Sequence, residues 1–429
     1  MKILVIGGGG REHAVCAAFK NSPKVTELHC APGNGGISEI AACHPEIKAT
    51  DIDGAVGLAH EINADYVFVA PDDPLTLGMV DRLEAAGFPA FGPRANAAVI
   101  EGSKVFSKAF MKRHNIPTAL YETFSETGAA LAYIKSRNSY PIVIKCDGLA
   151  LGKGVIIAQN FPEAEEAVIS ILEGGKFGAS GKEIVVEEFL EGVEATVLAF
   201  TDGKTISAMP ASIDHKRALD NNEGLNTGGM GVICPAPYYT EEIAEICMKT
   251  IFEPTIRGLA EEGKTFKGCL YFGLMVGSTG FSPCVKVIEY NCRFGDPETQ
   301  AVLPLLETDL FEIMTAVIDE RLAEIPIKWS GKSSACVVMA SGGYPEKYET
   351  GFEISGLGDI SEAVVYHAGT KLSSGKYVTA GGRVLGITAL GENLGEALGK
   401  AYRETAKISF NGAFYRKDIG AAHCKKAKT

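Results

Sequence analysis

The sequence predicts an α/β protein of several domains, with a parallel sheet at the N-terminus and a strand-rich C-terminal part. Its 429 residues are enough for about three domains of roughly 150 residues each. Short apolar segments alternate with helical patterns over residues 1–102, an arrangement typical of a parallel sheet. Glycine contributes 50 residues and clusters in short loops, where the missing side chain lets the backbone approach a ligand.

The N-terminal region contains the loops most expected to face a substrate. The predicted elements are strands over Lys2–Ile6, Val25–Cys30 and Tyr66–Ala70 and helices over Arg11–Lys20 and Leu75–Ala86. Ligands bind outside the carboxyl ends of the strands in open parallel sheets. The loops around Gly8, Asn34 and Asp72 are therefore predicted to line a site.

The rest of the chain is predicted to mix strands and helices. The expected helices run from an N-cap at Ser103 to His114, over Pro162–Leu172 and over Ile243–Leu259, and the expected strands are Pro141–Lys145, Val155–Ala158, Ile184–Glu188, Ala335–Ala340, Tyr377–Ala380 and Arg383–Ala389. These assignments rest on apolar periodicity and on capping residues.

Charge and composition exclude several functional classes. The 41 basic and 53 acidic side chains give a net charge of −12, which disfavours binding to nucleic acids. The 11 cysteines include no C-x-x-C pair, so we expect reduced cytoplasmic thiols and neither a disulfide framework nor a zinc ribbon. No apolar run approaches 18 residues and no signal peptide is present, so no membrane association is expected.

Two apparent nucleotide motifs are rejected. The turn Gly7–Gly10 resembles the start of a dinucleotide fingerprint, but Glu12 occupies the third glycine position and no acid follows the second strand. The turn still offers backbone N–H groups beside Arg11, which suits a phosphate. Residues Gly258–Thr265 match the P-loop pattern, but they follow a predicted helix, and Glu261 and Glu262 carry the wrong charge.

A glycine-rich hairpin after Lys145 predicts a nucleotide site. Lys145 ends a strand, and the loop that follows contains Gly148, Gly152, Lys153 and Gly154. Closely approaching amides and point positive charges are what phosphate oxygens require.

The next apolar strand ends in acids. Glu187 and Glu188 could accept a hydrogen bond from an adenine amino group, and Glu194 could accept one from a ribose hydroxyl.

The segment Val285–Gln300 predicts the chemical centre. Glu289 and Asn291 are two residues apart in a strand, so they share one face. Their oxygens suit Mg²⁺, or Mn²⁺, held together with nucleotide phosphates. Arg293 has the same parity and could bind a carboxylate or a transferring phosphoryl group.

Two polar loops, Asp214–Arg217 and Asn226–Gly231, are predicted to face the substrate. The first could equally be a solvated charged turn. No pairing of nucleophile and base is visible, which argues against a hydrolase with a covalent intermediate.

Longer strings resemble a known family. The order of Lys145, Glu187–Leu190 and Glu289-x-Asn291 resembles the ATP-grasp superfamily. More specific strings resemble its glycinamide ribonucleotide synthetases over essentially the whole chain: Gly9–Ala14, Ala31–Asn34, Glu101–Lys104, Asp147–Ala150, Asp214–Arg217, Asn226–Gly231 and Asn291–Gln300. Gly8 and Leu225 stand where Asn and Pro are expected, and Tyr271–Met275 lacks a further acidic metal ligand, which leaves the number of Mg²⁺ ions open.

The resemblance implies a ligase that joins glycine to 5-phosphoribosylamine through glycyl phosphate at the expense of ATP. By analogy, ATP is held by Lys104, Lys145, Gly152, Lys153, Gly154, Glu187, Glu188, Phe189, Leu190 and Glu194, and the metal by Glu289 and Asn291. Arg293, Lys145 and Asp214 are the implied catalytic residues. The implied substrate-binding residues are Gly10, Arg11, Glu12, Asn34, Asp72, Asp214, Lys216, Arg293, Gly295 and Asp296.

The implied architecture is an ATP-grasp fold with a Rossmann-like N-terminal domain. Its expected divisions are 1–102 for the N-terminal substrate domain, 103–122 for a linker helix, 123–194 for the lid, 195–328 for the core with the metal site, and 329–429 for the C-terminal domain. A monomer or weak homodimer is expected. A different ATP-grasp ligase or carboxylating enzyme, and a non-catalytic nucleotide-binding protein, remain open; the intact Arg293 and metal pair count against the latter.

Overall fold

A computed structural model describes residues 1–149, 154–175, 178–279 and 282–424. It confirms the predicted α/β multidomain class with a parallel N-terminal sheet. Within the described ranges no helix is long and apolar enough to cross a membrane.

The N-terminal sheet has five parallel strands. Their order across the sheet is Ala42–Cys43, Glu27–Pro32, Lys2–Gly7, Tyr66–Val69 and Ala90–Phe91. The accompanying helices are Gly10–Lys20, Ile52–Glu61, Asp72–Thr76, Met79–Ala85 and Ala95–Gly102. The single predicted helix Leu75–Ala86 is wrong, because Gly78 takes the left-handed φ of 86° and separates two helices. The shorter of these begins at Asp72, whose Oδ2 is 4.0 Å from Arg293 Nη2.

A smaller antiparallel sheet, here called the lid sheet, follows one helix. That helix is Lys104–Arg113, and Ser103 caps it by accepting a hydrogen bond from Phe106 N–H, as the sequence predicts. The lid sheet has the strand order Tyr121–Phe124, Ile184–Glu188, Ile142–Cys146 and Val155–Ala158, and two helices, Thr127–Arg137 and Phe161–Leu172, cover one face. Val143, Lys145, Val185 and Glu187 are on the opposite face, because side chains alternate along a strand.

Two larger sheets lie in the rest of the described chain. The core sheet has the order Ile206–Ala208, Val193–Thr201, Gly268–Thr279 and Ser282–Asn291. The C-terminal sheet has the order Ile213–Asp214, Gly231–Cys234, Ser333–Ala340, Arg383–Gly391 and Val364–His367. Two hairpins accompany them, Arg217–Leu219 with Glu223–Asn226 and Thr370–Ser373 with Lys376–Thr379. Strands from before and after residue 329 thus share one sheet.

The remaining helices pack around these sheets. They are Glu241–Cys247, Glu253–Glu261, Glu298–Val302, Leu310–Ile318, Leu394–Thr405 and Ala421–Cys424. The predicted continuous helix Ile243–Leu259 is wrong in detail, since a π-helical turn over Met248–Phe252 interrupts it. Gly258 lies inside the helix Glu253–Glu261, which directly follows the π-helical turn and not a strand. This confirms that the segment is not a P-loop.

Candidate functional site

The glycine-rich turn at the end of the first strand is closed by its own glutamate. Gly9 N–H donates to Glu12 Oε2 at 2.6 Å, and Arg11 Nε donates to Glu12 Oε1 at 2.6 Å. Arg11 also donates to Phe294 O at 3.1 Å. The expectation of free backbone donors is therefore wrong at Gly9. The turn instead fixes Arg11 against the segment that carries Arg293.

Asn34 connects three parts of the chain. Its amide N–H₂ donates to Gly8 O at 2.9 Å and to His367 O at 2.7 Å. Its Oδ1 accepts hydrogen bonds from Gly36 N–H and Ile37 N–H. The side chain thus holds the loops after the first and second strands of the chain to the C-terminal sheet.

Arg293 lies at the centre of a largely buried group of acids. Its Nη2 is 3.3 Å from Glu101 Oε1 and 4.0 Å from Asp72 Oδ2, and it donates to Asn291 Oδ1 at 3.1 Å. Burial works to lower the pKa of Arg293, but Glu101 and Asp72 raise it. Its Nε is buried and has no hydrogen-bond partner. A buried guanidinium N–H without a partner is costly, so this atom is available to an anion.

The half-buried Asp214 lies near the buried carboxyl group of Glu298. Burial and the proximity of Glu298 raise the pKa of Asp214 well above its usual range, and burial also raises that of Glu298. Asp214 Oδ1 is buried without a hydrogen-bond partner. Two carboxyl groups in such a position resist double ionisation, and a bound cation relieves their repulsion.

Charged neighbours surround this pair. Lys216 Nζ donates to Glu194 Oε2 at 2.9 Å and is 4.0 Å from Glu289 Oε1. Arg383, from the C-terminal sheet, donates to Gly228 O and to Asp296 O, each at 2.7 Å. Arg383 therefore fastens the Asn226–Gly231 loop to the segment after Arg293.

Gly10, Gly295 and Asp296 lie at closely packed positions in the same region. A Cβ on Gly10 would be 2.5 Å from Gln300 Nε2, so a larger residue there would displace the amide of Gln300. Asp296 Oδ1 accepts from Gln300 Nε2 at 2.7 Å, and its Oδ2 is 3.3 Å from Arg383 Nη2. Gly295 O accepts from Thr299 Oγ1.

Glu289 and Asn291 lie on one face of the strand Ser282–Asn291, as their spacing predicts. Burial works to raise the pKa of Glu289, but four nearby cations, first among them Lys216, hold it below its usual range. An ionised carboxylate and an amide oxygen fit a divalent cation with oxygen ligands. Among the described residues, no group of three or more His, Cys, Asp or Glu side chains could hold a metal ion.

Lys145 and Glu187 face each other on neighbouring strands of the lid sheet. Lys145 Nζ is 3.1 Å from Glu187 Oε1 and donates to Ile288 O at 3.2 Å. Lys104 Nζ donates to Gly148 O at 2.7 Å, beside the start of the glycine-rich loop. Gly154 ends that loop by accepting a hydrogen bond from Cys146 N–H, whereas Gly152 and Lys153 lie outside the described residues.

The three residues after Glu187 differ in their surroundings. Lys286 Nζ donates to Glu188 Oε1 at 2.6 Å. Burial works to raise the pKa of Glu188, but the hydrogen bonds from Lys286 and Leu120 N–H lower it. Phe189 is exposed and Leu190 is half-buried. This hydrogen bond joins the lid sheet to the core sheet, because Lys286 lies in the strand Ser282–Asn291.

Sequence reasoning missed four side chains of this site. Lys108 and Glu187 form a buried ion pair at 3.1 Å, Glu101 and Glu298 flank Arg293 and Asp214, and Arg383 reaches in from the C-terminal sheet. The spacing Lys104-x-x-x-Lys108 could have identified Lys108, because residues four apart share a helix face. Arg383 has no signal near it in the sequence.

Comparison with family models gives one family along the chain. The N domain of phosphoribosylglycinamide synthetase matches residues 1–101, its ATP-grasp (A) domain matches 102–299, and its C domain matches 334–422.

Curated relatives are similar over nearly the full length. The phosphoribosylamine–glycine ligase of Caldanaerobacter subterraneus is 46% identical over 99% of this chain and 100% of that protein. Those of Vibrio cholerae and Allochromatium vinosum are 47% and 48% identical, with 98% of both chains covered in each case.

Solved structures agree with the sequence comparison. The crystal structure of phosphoribosylamine–glycine ligase from Thermotoga maritima matches with a TM-score of 0.85 and 33% identity, covering 98% of this chain and all of that one. A biotin carboxylase complex from Campylobacter jejuni has a TM-score of 0.72 at 15% identity, over 96% of this chain and 92% of that one, which shows a shared fold alone.

Proposed function

The chain belongs to the phosphoribosylglycinamide synthetase family, and from that membership we propose how its residues carry out the family reaction. The reaction is the ATP-dependent ligation of glycine to 5-phosphoribosylamine in purine biosynthesis. Its products are glycinamide ribonucleotide, ADP and phosphate.

One observation carries the assignment of glycine. Asp214 Oδ1, a carboxyl oxygen, and Arg293 Nε, a guanidinium nitrogen, are both buried without a hydrogen-bond partner, and Glu298 acts electrostatically on both side chains. Glycine is a zwitterion whose ammonium and carboxylate groups are separated by a single carbon. Its ammonium group complements Asp214, and its carboxylate complements Arg293. Binding would therefore satisfy both atoms at once.

ATP is proposed to lie between the lid sheet and the core sheet. Lys104 and Lys145 would neutralise its phosphates, and the loop ending at Gly154 would cover them. The backbone of Phe189 and Leu190 would meet adenine, with Glu194 near the ribose. Glu187 is engaged by lysines, which supports a role in holding them rather than in binding the adenine amino group.

Glu289 and Asn291 would hold Mg²⁺ or Mn²⁺ beside the phosphates. Such an ion supplies charge neutralisation to the phosphoryl group when it is bound. Lys216 lies near enough to Glu289 to keep this carboxylate ionised and correctly turned.

The proposed chemistry has two steps. A carboxylate oxygen of glycine attacks the γ-phosphorus, and the bond to the ADP oxygen breaks, which gives glycyl phosphate. The amine of 5-phosphoribosylamine then attacks the acyl carbon, phosphate leaves, and the nitrogen loses a proton. Arg293 would hold the carboxylate in line, and positioning together with charge neutralisation supplies most of the rate enhancement.

The third substrate is proposed to bind at the edge of the N-terminal sheet. Gly10, Arg11, Glu12, Asn34 and Asp72 border this edge, and Gly295, Asp296 and Lys216 lie towards the reacting groups. Because Asn34 and Gly9 are occupied by internal hydrogen bonds, their part would be to hold the loops in shape. Because the reaction belongs to purine biosynthesis, we propose a cytoplasmic location. That the protein is a monomer or a weak homodimer stays a prediction.

Release of ADP by the purified protein tests the assignment. We expect it to require Mg²⁺, ATP, glycine and freshly generated 5-phosphoribosylamine together, with the mass of glycinamide ribonucleotide appearing in the products. Arg293→Ala should lower kcat/KM for glycine by about 100-fold or more, whereas the exposed Arg257→Ala should match the parent. ADP release with a different amine alone would contradict the substrate assignment and leave ATP binding intact.

A further inference from the structure

Lys108 is a buried lysine that none of the proposed steps uses. It lies one helical turn after Lys104, with 2% of its surface exposed. Its Nζ donates to Thr118 Oγ1 at 2.7 Å and is 3.1 Å from Glu187 Oε2. Burial lowers the pKa of Lys108 to about 8, so the ammonium is mostly charged at neutral pH.

Lys108 and Lys145 share the carboxylate of Glu187. Lys145 Nζ approaches the other oxygen, Oε1, at 3.1 Å. That oxygen accepts no hydrogen bond, so charge holds Lys145 there without a directional bond. The three side chains carry two positive charges and one negative charge, which leaves a net charge of +1 on the face where ATP is proposed to bind.

The same contacts connect the lid sheet to the strand that carries the metal pair. Thr118 O–H donates to Val287 O at 2.7 Å, and Lys145 donates to Ile288 O at 3.2 Å. Glu289 is the next residue along that strand. Lys108 is therefore connected to Lys145 through Glu187, and through Thr118 to the strand Ser282–Asn291, which carries Glu289 and Asn291.

We propose that Lys108 is a positioning residue for ATP: it neutralises Glu187 so that Lys145 stays free to turn from this carboxylate to the nucleotide phosphates. Without Lys108, Glu187 would hold Lys145 as its sole counter-ion, and the net charge of the cluster would fall to zero. The inference rests on the proposed placement of ATP at Lys145.

Replacement of Lys108 by an apolar side chain of similar length tests the proposal. Lys108→Met should raise the Kd for MgATP by about 10-fold, a usual size for coupling between sites, and leave KM for glycine within about twofold. Lys112→Met is the matched control, because Lys112 is an exposed lysine on the same helix. Calorimetric titration with MgATP measures the Kd, and thermal melting shows that each variant is folded.

Removal of the negative charge of Glu187 distinguishes electrostatic positioning by Lys108 from packing by its side chain. In the Glu187→Gln background, Lys108→Met should change the Kd for MgATP by less than about twofold, because no carboxylate remains to capture Lys145. A further loss of about fivefold or more in that background would overturn the proposal. So would an unchanged Kd in a folded Lys108→Met variant. The double variant keeps the test usable if the single variant does not fold.

Lys145→Met separates this inference from the proposed function. If Lys145→Met leaves the Kd for MgATP unchanged, the placement of ATP at Lys145 fails and the inference fails with it. If Lys145→Met weakens binding and Lys108→Met does not, only the positioning role is overturned.

Discussion

At the scale of single residues, two charged side chains keep buried atoms without internal partners. Arg293 is indicated by the sequence itself, because it follows an apolar strand that ends in polar side chains. Asp214 is indicated only by the family resemblance, because its loop fits a solvated charged turn equally well. Their partners could not be predicted. Glu101 ends a helix some 190 positions before Arg293 along the chain, and Glu298 resembles any first-turn helix acid. The pKa values of Arg293 and Asp214 depend on their distances from these acids in the folded protein, and residue types alone do not reveal those distances.

Asp214→Asn should stabilise the free protein and impair catalysis. The folded pKa of Asp214 lies above its usual value, so the folded state retains a proton that the unfolded state releases as pH rises. The parent therefore loses stability as pH rises above about 4, and the asparagine variant does not. At pH 7 we expect a melting temperature higher by ~1–3 °C, with the difference vanishing near pH 3.5. KM for glycine should rise in the same variant.

Scanning calorimetry across pH checks the stability part, with Asp53→Asn as a control on an exposed helix. A variant that is less stable than the parent at pH 7 would show that Asp214 is stabilised by contacts and not strained by its neighbour.

At the scale of elements, capping and periodicity predicted strands better than interrupted helices. The strands Val155–Ala158 and Ile184–Glu188 agree with prediction to the residue, because β-branched runs end at turn residues. The sequence predicts continuous helices over Leu75–Ala86 and Ile243–Leu259, because the apolar pattern continues across the interruptions at Gly78 and Met248. A left-handed glycine or a π-turn changes the direction of a helix without changing its composition.

The loop Asn226–Gly231 offers an element-scale prediction. Gly229 has a φ of 116°, and a Cβ there would lie 2.5 Å from Asp214 Oδ1. Gly229→Ala should therefore displace the loop and lower kcat/KM for glycine by ~100-fold, the usual effect of a 1 Å misplacement. Gly57→Ala is the control: it lies in the helix Ile52–Glu61 with no atom within 4 Å of the added Cβ. That variant should gain about 0.5–1 kcal/mol of stability and keep full activity. Full activity in Gly229→Ala would show that the loop tolerates the change.

At the scale of the whole molecule, two histidines connect the helix Gly10–Lys20 to the C-terminal sheet. His13 Nδ1 accepts a hydrogen bond from His367 N–H at 2.8 Å. Burial lowers the pKa of His13 to about 3 and that of His367 to about 4, although Glu39 opposes the latter shift. Both rings are therefore neutral in the folded protein at physiological pH.

Burial of these two neutral histidine rings should make the stability of the protein sensitive to acid. As pH falls below about 6.5, the unfolded chain takes up protons that the folded rings refuse, so stability is lost until the folded pKa values are reached. His13→Asn keeps an acceptor and removes one titrating group. Between pH 7 and pH 5 it should lose less stability than the parent, by on the order of 1–2 kcal/mol. Denaturant titrations at both pH values measure this, and exposed His60→Asn should behave like the parent.

The C-terminal sheet sets a time at which activity can begin during synthesis. Gly231–Cys234 pairs with Ser333–Ala340, and Arg383 fastens the loop beside Asp214 from the following strand. A chain still on the ribosome can contain every residue proposed to touch ATP and glycine and yet lack the guanidinium that fastens the Asn226–Gly231 loop. The site is therefore complete only after residue 383 has been synthesised and its strand has paired with Ser333–Ala340.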